Sequence, residues 1–173
     1  MSDNPWTTQV RTPHGDIHFQ EYWVKYRGTI EISAVTHVPE TAPVATREVI
    51  DAIRHADAVV IGPSNPVTSI LPILSCAGVR EELTKKKVIA ISPFIGEQPV
   101  SGPAAALMKA IGYHANSHGV RSLYRDLVDL FIQDIRDPVQ VPGAIRRDTL
   151  MTSPAIAEDL IKVLTQAEES LLE

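Results

Sequence analysis

Three short apolar segments, each set off by loops and helical patterns, set the limits on how this chain can fold. Asp57-Ala58-Val59-Val60-Ile61-Gly62 and Val88-Ile89-Ala90-Ile91-Ser92 are two of them, and Leu127 to Gln133 is the third. Such runs are apolar on both faces, which marks strands of a parallel sheet covered by helices on each side. The helical patterns lie where that arrangement needs them. Thr46 can cap a helix running to Ala56, with Val49, Ile50 and Ile53 on one face. Pro103 to Ile111 reads as a helix with proline in its first turn, where the missing N–H costs nothing, and Gly112 ends it. Ser153 can cap a last helix over Pro154 to Leu172, with Ile156, Leu160, Val163, Leu164 and Leu171 as apolar positions.

The N-terminal segment reads differently. From Trp6 to Val38 polar and apolar residues alternate, with many β-branched and aromatic members. Thr8 to Thr12 and Ile17 to Val24 are predicted strands, and Pro13-His14-Gly15-Asp16 between them suits a tight antiparallel hairpin. Pro39 to Pro43 breaks the pattern. The predicted architecture is one α/β domain over 1–173, with a β-rich element over 1–44 and strand-loop-helix units over 45–173. In fold class it is Rossmann-like: a doubly wound, mainly parallel sheet with a small N-terminal antiparallel element.

At 173 residues with 44% hydrophobic side chains, the chain has enough apolar material for one buried core. The single cysteine, Cys76, rules out an intrachain disulfide and reads as a small buried hydrophobe. A net charge of −5 argues against nucleic acid or an anionic membrane as partner. Lys85-Lys86-Lys87 is a short basic run just before an apolar strand, which suits a solvated turn. No apolar stretch is long enough to cross a bilayer and no signal-peptide pattern opens the sequence, so a cytoplasmic location is expected.

Ligands of open parallel sheets bind beyond the carboxyl ends of the strands. The loop leaving the first apolar run, Gly62-Pro63-Ser64-Asn65-Pro66-Val67-Thr68-Ser69-Ile70, enters an apolar helix. Gly62 lets the backbone approach a ligand, and Asn65, preceding Pro66, is pushed toward an extended conformation. Ser64, Asn65, Thr68 and Ser69 bring hydroxyls, an amide and helix N-terminal N–H groups, a set that suits phosphate. The same residue types also serve as plain helix caps, and the loop has neither a Walker pattern nor a lysine, so both readings stand at this point. The next strand ends in a second loop, Ser92 to Pro103, where serines, glycines and a helix start recur. If the two strands are neighbours, their loops face one crevice that suits a diphosphate, with Ser92, Gly96 and Gly102 as further candidate contacts.

Other chemistry is sparser. His114 and His118 stand four apart but lack the glutamate of a zinc-protease helix. Asp126, Asp129, Asp134 and Asp137 surround the third run, where carboxylates can hold Mg²⁺ or take a proton from an attacking hydroxyl. Asp134, directly after Leu130-Phe131-Ile132-Gln133, is the best placed as a catalytic group, and no metal-ligand set is legible.

The loop Gly62 to Ile70, Leu71-Pro72-Ile73-Leu74, Ile91-Ser92-Pro93, Ser101-Gly102-Pro103-Ala104 and Leu123-Tyr124 together resemble the 2-phospho-L-lactate transferases of coenzyme F(420) biosynthesis. Met1-Ser2-Asp3-Asn4-Pro5, Phe19-Gln20-Glu21-Tyr22-Trp23-Val24 and Asp148-Thr149-Leu150-Met151 are similar to the same family in the same order. The resemblance implies transfer of a phospholactyl (or phosphoenolpyruvyl) group from a guanosine diphosphate donor to the ribityl hydroxyl of a deazariboflavin, with GMP released and Mg²⁺ as cofactor. It also implies that the two loops hold the donor and that an acid such as Asp134 serves the metal or the proton.

Members of that family open with a Gly-rich strand–turn–helix and an acidic stretch that supply much of the deazaflavin and metal site. Met1-Ser2-Asp3 resembles an internal point of the pattern. The chain is therefore expected to be the C-terminal half of such an enzyme, poorly active until the other half is supplied, with an exposed sheet edge that favours a homodimer. A non-catalytic, nucleotide-sugar-binding regulator of the same fold is the alternative. Such regulators carry a Leu/Tyr-containing sequence where this chain has Asn65-Pro66-Val67. A folded remnant that binds nothing is a third possibility.

Overall fold

The computed structural model describes the backbone of residues 1–172 and the side chains of residues 1–166, so the apolar position assigned to Leu171 lies outside the described side chains. A small antiparallel sheet of order β2-β1-β3 is built from β1 (Thr7–Thr12), β2 (Gly15–His18) and β3 (Ala34–Val38). The predicted hairpin is present, with Arg11 opposite Asp16 and their side chains paired at 2.9 Å. Gly15 turns it at φ +112°, a conformation that costs only glycine nothing. The predicted second strand is cut short. Glu21–Lys25 is a turn of π-helix because Tyr22 is drawn fully into the core, where its hydroxyl donates to the Gly28 carbonyl at 3.0 Å. Trp23 and Val24 stay exposed, so alternation there reported sidedness and not strand.

Helix α1 (Arg47–His55) starts where expected, although the Thr46 side chain makes no capping bond to it. The chain then runs through β4 (Ala58–Ile61), a π-helical turn (Pro66–Ile70) continuing into α2 (Leu71–Ser75), α3 (Val79–Leu83) and β5 (Lys87–Ile91). A short antiparallel pair, β6 (Phe94–Ile95) and β7 (Gln98–Pro99), precedes α4 (Ala104–Ala110) and α5 (Ser117–Leu123). Strands β8 (Leu130–Asp134) and β9 (Ile145–Arg147) and the long helix α6 (Pro154–Leu172) complete it. The main sheet has four parallel strands in the order β4-β5-β8-β9. This is the predicted mixed α/β class with a small antiparallel element.

Burial follows the apolar runs. Val88, Ala90 and Phe131 join Leu107 and Met108 in one core, while Ile89, Ile91 and Ile132 pack against Leu160 and Val163 of α6 on the other face. Each such buried side chain contributes about 2 kcal/mol. The β4 run departs from two-sided burial, because β4 lies at the sheet edge and Val60 is 47% exposed. Helix α5 has no counterpart among the predicted helices. Asn116 caps it through the Gly119 N–H at 2.9 Å, and a Cβ at Gly119 would lie 1.8 Å from the His114 carbonyl oxygen, so glycine there reflects close packing.

Candidate functional site

Strands β4 and β5 pair in parallel from Ala58↔Lys87 to Ile61↔Ala90, so the loops that follow them leave the same, carboxyl end of the sheet. In the first loop the Asn65 Oδ1 accepts from the Val67 N–H at 3.0 Å and the Thr68 N–H at 3.3 Å, while the Asn65 carbonyl accepts from Ser69 N–H at 3.0 Å. Asn65 is thus a true cap, and the first N–H groups of the helix are already satisfied. What the loop presents outward is the exposed Ser64, the half-buried Thr68 and Ser69, and open space beside Gly62, where an added Cβ would meet no atom within 4 Å. Neither contact nor a left-handed φ requires glycine at 62.

The second loop is tied down from inside. Ser92 is buried, with its Oγ 2.8 Å from the Ser117 Oγ and accepting from the Phe94 N–H at 3.1 Å. Ser92 thus braces the loop from below. Gly96, at φ +62°, donates its N–H to Asp137 Oδ1 at 3.1 Å. Gly102, at φ +70°, is exposed with open space around it, directly ahead of Pro103 and α4. Asp137 is itself buried and accepts from Ser117 Oγ at 2.5 Å and the Val139 N–H at 3.0 Å, so the loop after β8 holds the loop after β5. Gln133 does the same for its own loop, donating to the Val139 carbonyl and accepting from the Val141 N–H, each at 2.7 Å.

Asp134 ends β8 at the same carboxyl end of the sheet, fully buried. Its carboxylate accepts from Arg136 Nε and Nη2 at 2.7 Å each and from the Thr149 N–H and Oγ1 at 2.9 and 3.0 Å. Burial alone would push this carboxyl up, but the hydrogen bonds from Arg136 and Thr149 outweigh it and hold the group well below the usual carboxylate range. A group so engaged suits an anchor for Arg136, which also pairs with Asp148, more than a proton acceptor. Arg136 carried no role in the sequence reading, and its spacing from Asp134 was the signal available; Asp137, read there only as a candidate carboxylate for metal or proton, is held by Ser117 and by backbone N–H groups. Of the other acids, Asp126 pairs with Arg80 and Asp129 accepts from the Val88 N–H. His114 and His118 are both exposed. Among the described residues, no group of three or more His, Cys, Asp or Glu side chains is placed to hold a metal ion. Nor is any helix among them long and apolar enough to cross a membrane. The basic run lies at the opposite end of the sheet, where Lys86 Nζ donates to the carbonyls of Arg54 and Ala56.

Known proteins resemble this chain. The family model described as 2-phospho-L-lactate transferase CofD matches residues 1–163. The 2-phospho-L-lactate transferase of Methanospirillum hungatei is 71% identical over 167 residues, covering 96% of this chain and 56% of that protein. The one from Methanocorpusculum labreanum is 57% identical over 147 residues, covering 83% of this chain and 48% of the relative. The chain thus spans about half the length of the curated relatives it matches. Among solved structures, a member of the UPF0052 family from Bacillus halodurans aligns with a TM-score of 0.53 at 22% identity, covering 80% of this chain and 43% of that one, a likeness of fold. The resemblance read from the Gly62 to Ile70 loop and its companions is borne out, and the chain belongs to the 2-phospho-L-lactate transferase CofD family.

Proposed function

We propose that this chain carries the donor-binding side of a phospholactate transferase site in coenzyme F(420) biosynthesis. In the proposed reaction the terminal ribityl hydroxyl of a deazariboflavin attacks the phosphorus that bears the lactyl (or enolpyruvyl) group. A new P–O bond forms, the P–O bond to the guanosine phosphate breaks, and GMP leaves with the electron pair while the hydroxyl proton passes to a base. Such transfers depend on positioned phosphates more than on covalent catalysis. The observation that carries the reading is the pairing of β4 with β5, which sets the Gly62–Ser69 and Ser92–Gly102 loops side by side, in a chain 71% identical to a protein named for this activity.

On this reading Ser64, Thr68 and Ser69 face the diphosphate, with Gly62, Gly96 and Gly102 giving the backbone close approach. Asn65, Ser92 and Asp137 keep the loops in place, and Asp134 keeps Arg136 in place. The acids present do not fit a Mg²⁺ site, since Asp134 and Asp137 already spend their oxygens on protein donors. The metal ligands, the proton acceptor and most of the deazaflavin contacts are assigned to the part of the family fold that this chain does not span. Activity then needs that part.

Isothermal titration of the purified chain with GMP, GDP and deazariboflavin, with and without Mg²⁺, tests the proposal. Guanine nucleotide binding with little deazaflavin affinity is the expected result. A folded chain that takes up no guanine nucleotide would refute it.

A further inference from the structure

We infer that Arg27 is the cation that meets the donor's diphosphate, presented to the second loop by a strained turn. This rests on the functional reading above and deepens it by naming the group that offsets the phosphate charge. Neither loop supplies that group. Gly62 to Ile70 contains no lysine or arginine, and Ser92 to Pro103 contains none either and adds Glu97. A diphosphate met by backbone and hydroxyl groups alone keeps its charge uncompensated, and a guanidinium is the side chain best shaped to meet it. Arg136, at the carboxyl end of β8, is already shared by Asp134 and Asp148, and Arg146 donates to the carbonyls of Ile135 and Asp137.

Local turn chemistry singles out Arg27. Tyr26 to Thr29 is a turn closed by the Thr29 N–H on the Tyr26 carbonyl at 3.0 Å. Its central residues both have positive φ, +52° at Arg27 and +68° at Gly28, the pattern of a type I′ turn. Such a turn asks for Asn, Asp or Gly at its first central position, because other side chains crowd the neighbouring carbonyl there. Among the described residues Arg27 is the one non-glycine residue at positive φ. The sequence thus sets an arginine against the local rule, and departures of that kind gather at functional sites.

The turn is pinned in place. The buried Tyr22 holds it twice: its carbonyl accepts from the Gly28 N–H, and its hydroxyl donates to the Gly28 carbonyl, each at 3.0 Å. A Cβ at Gly28 would lie 3.2 Å from the Pro103 Cβ and 3.4 Å from the Trp23 ring, so the turn packs against Pro103. Pro103 directly follows Gly102, which is exposed with open space around it. One residue from that contact, Arg27 is within the length of its own side chain of the second loop. It is exposed and makes no side-chain hydrogen bond or ion pair among the described residues, so its charge is free for an anion. A rigid turn carrying an unpaired guanidinium loses little freedom when a phosphate arrives, which favours binding.

GDP titration and thermal melts on Arg27 variants test this. Arg27→Asn and Arg27→Gly suit the turn better than arginine, so both should melt at or above the temperature of the parent chain. Both should bind GDP roughly tenfold or more weakly, the loss expected for one charged hydrogen-bonding partner, with Arg27→Lys between them and the parent. Added KCl should weaken GDP binding to the parent more steeply than to the Arg27→Gly chain, because the variant lacks one ion pair. A lower melting temperature in both variants would show that arginine is there for packing. Unchanged GDP affinity, or an unchanged salt dependence, would show that it meets no phosphate, and any of these results overturns the inference. Titration of the parent keeps the two readings apart. A parent that binds GDP with an indifferent Arg27 defeats the role of Arg27 alone, whereas a parent that binds no GDP defeats the functional proposal and this role with it.

Discussion

Replacing Asn65 by aspartate separates its role as a cap from its place beside a phosphate. The Asn65 side chain accepts two backbone N–H groups, from Val67 and Thr68. Removing the acceptor in Asn65→Ala should cost about 1 kcal/mol, or roughly 3 °C in melting temperature for a chain of this size. Aspartate offers the same oxygen and suits a helix N-terminus, so Asn65→Asp should melt within about 1 °C of the parent. Its added negative charge, however, would sit beside any diphosphate in the loop. At about 5 Å and an effective dielectric near 20, one pair of like charges costs about 3 kcal/mol, roughly a hundredfold in affinity. GDP titration and thermal melts on the three proteins decide the matter. An Asn65→Asp protein that binds GDP as tightly as the parent would show that no phosphate lies at this loop.

Other perturbations have equally direct readouts. Gly119→Ala drives a Cβ to 1.8 Å from the His114 carbonyl and should destabilise the fold by about 2 kcal/mol or more, seen as a lower urea midpoint; a neutral result would contradict the packing of α5. Asp134→Asn leaves the Arg136 guanidinium with Asp148 as its one carboxylate partner, and because Arg136 is partly exposed the loss should stay near 2–3 kcal/mol by urea unfolding. Less than about 1 kcal/mol would mean that the pair does not anchor the β8 end. The guanidinium of Arg54 and then the ammonium of Lys85 hold the Glu82 carboxyl down to about 2, from an ordinary 4.5. A depressed carboxyl stabilises the fold above its unfolded value and loses that contribution as pH falls from 4.5 toward 2. Glu82→Gln should therefore show a shallower loss of urea stability between pH 5 and 3 than the parent, and parallel curves would refute the link.

The parallel sheet was legible because β5 and β8 are apolar on both faces, a pattern that only two-sided burial explains. The same logic misjudged β4, whose sequence is that of an inner strand while its position is at an edge. Phe19 to Val24 misled because alternation does not distinguish a strand from a turn of helix with one anchored residue, here Tyr22. Helix α5 was hidden by Gly119, which normally argues against a helix and is needed there by close packing. Residue type singled out the two loops as candidates but not the direction of their side chains: Ser92 points inward and Asn65 caps its own helix, and only the fold reveals either. The Arg136–Asp134–Thr149 cluster joins residues from β8 and from the segment after β9, a contact no local pattern encodes.

Amide chemical-shift mapping of the isotope-labelled chain on addition of GDP is the most direct test of the donor site. The account predicts perturbations centred on Gly62 to Ser69 and Gly96 to Gly102, at the carboxyl ends of β4 and β5. Perturbations centred on the opposite end of the sheet, around Lys85 to Lys87, or none at saturating GDP, would contradict it.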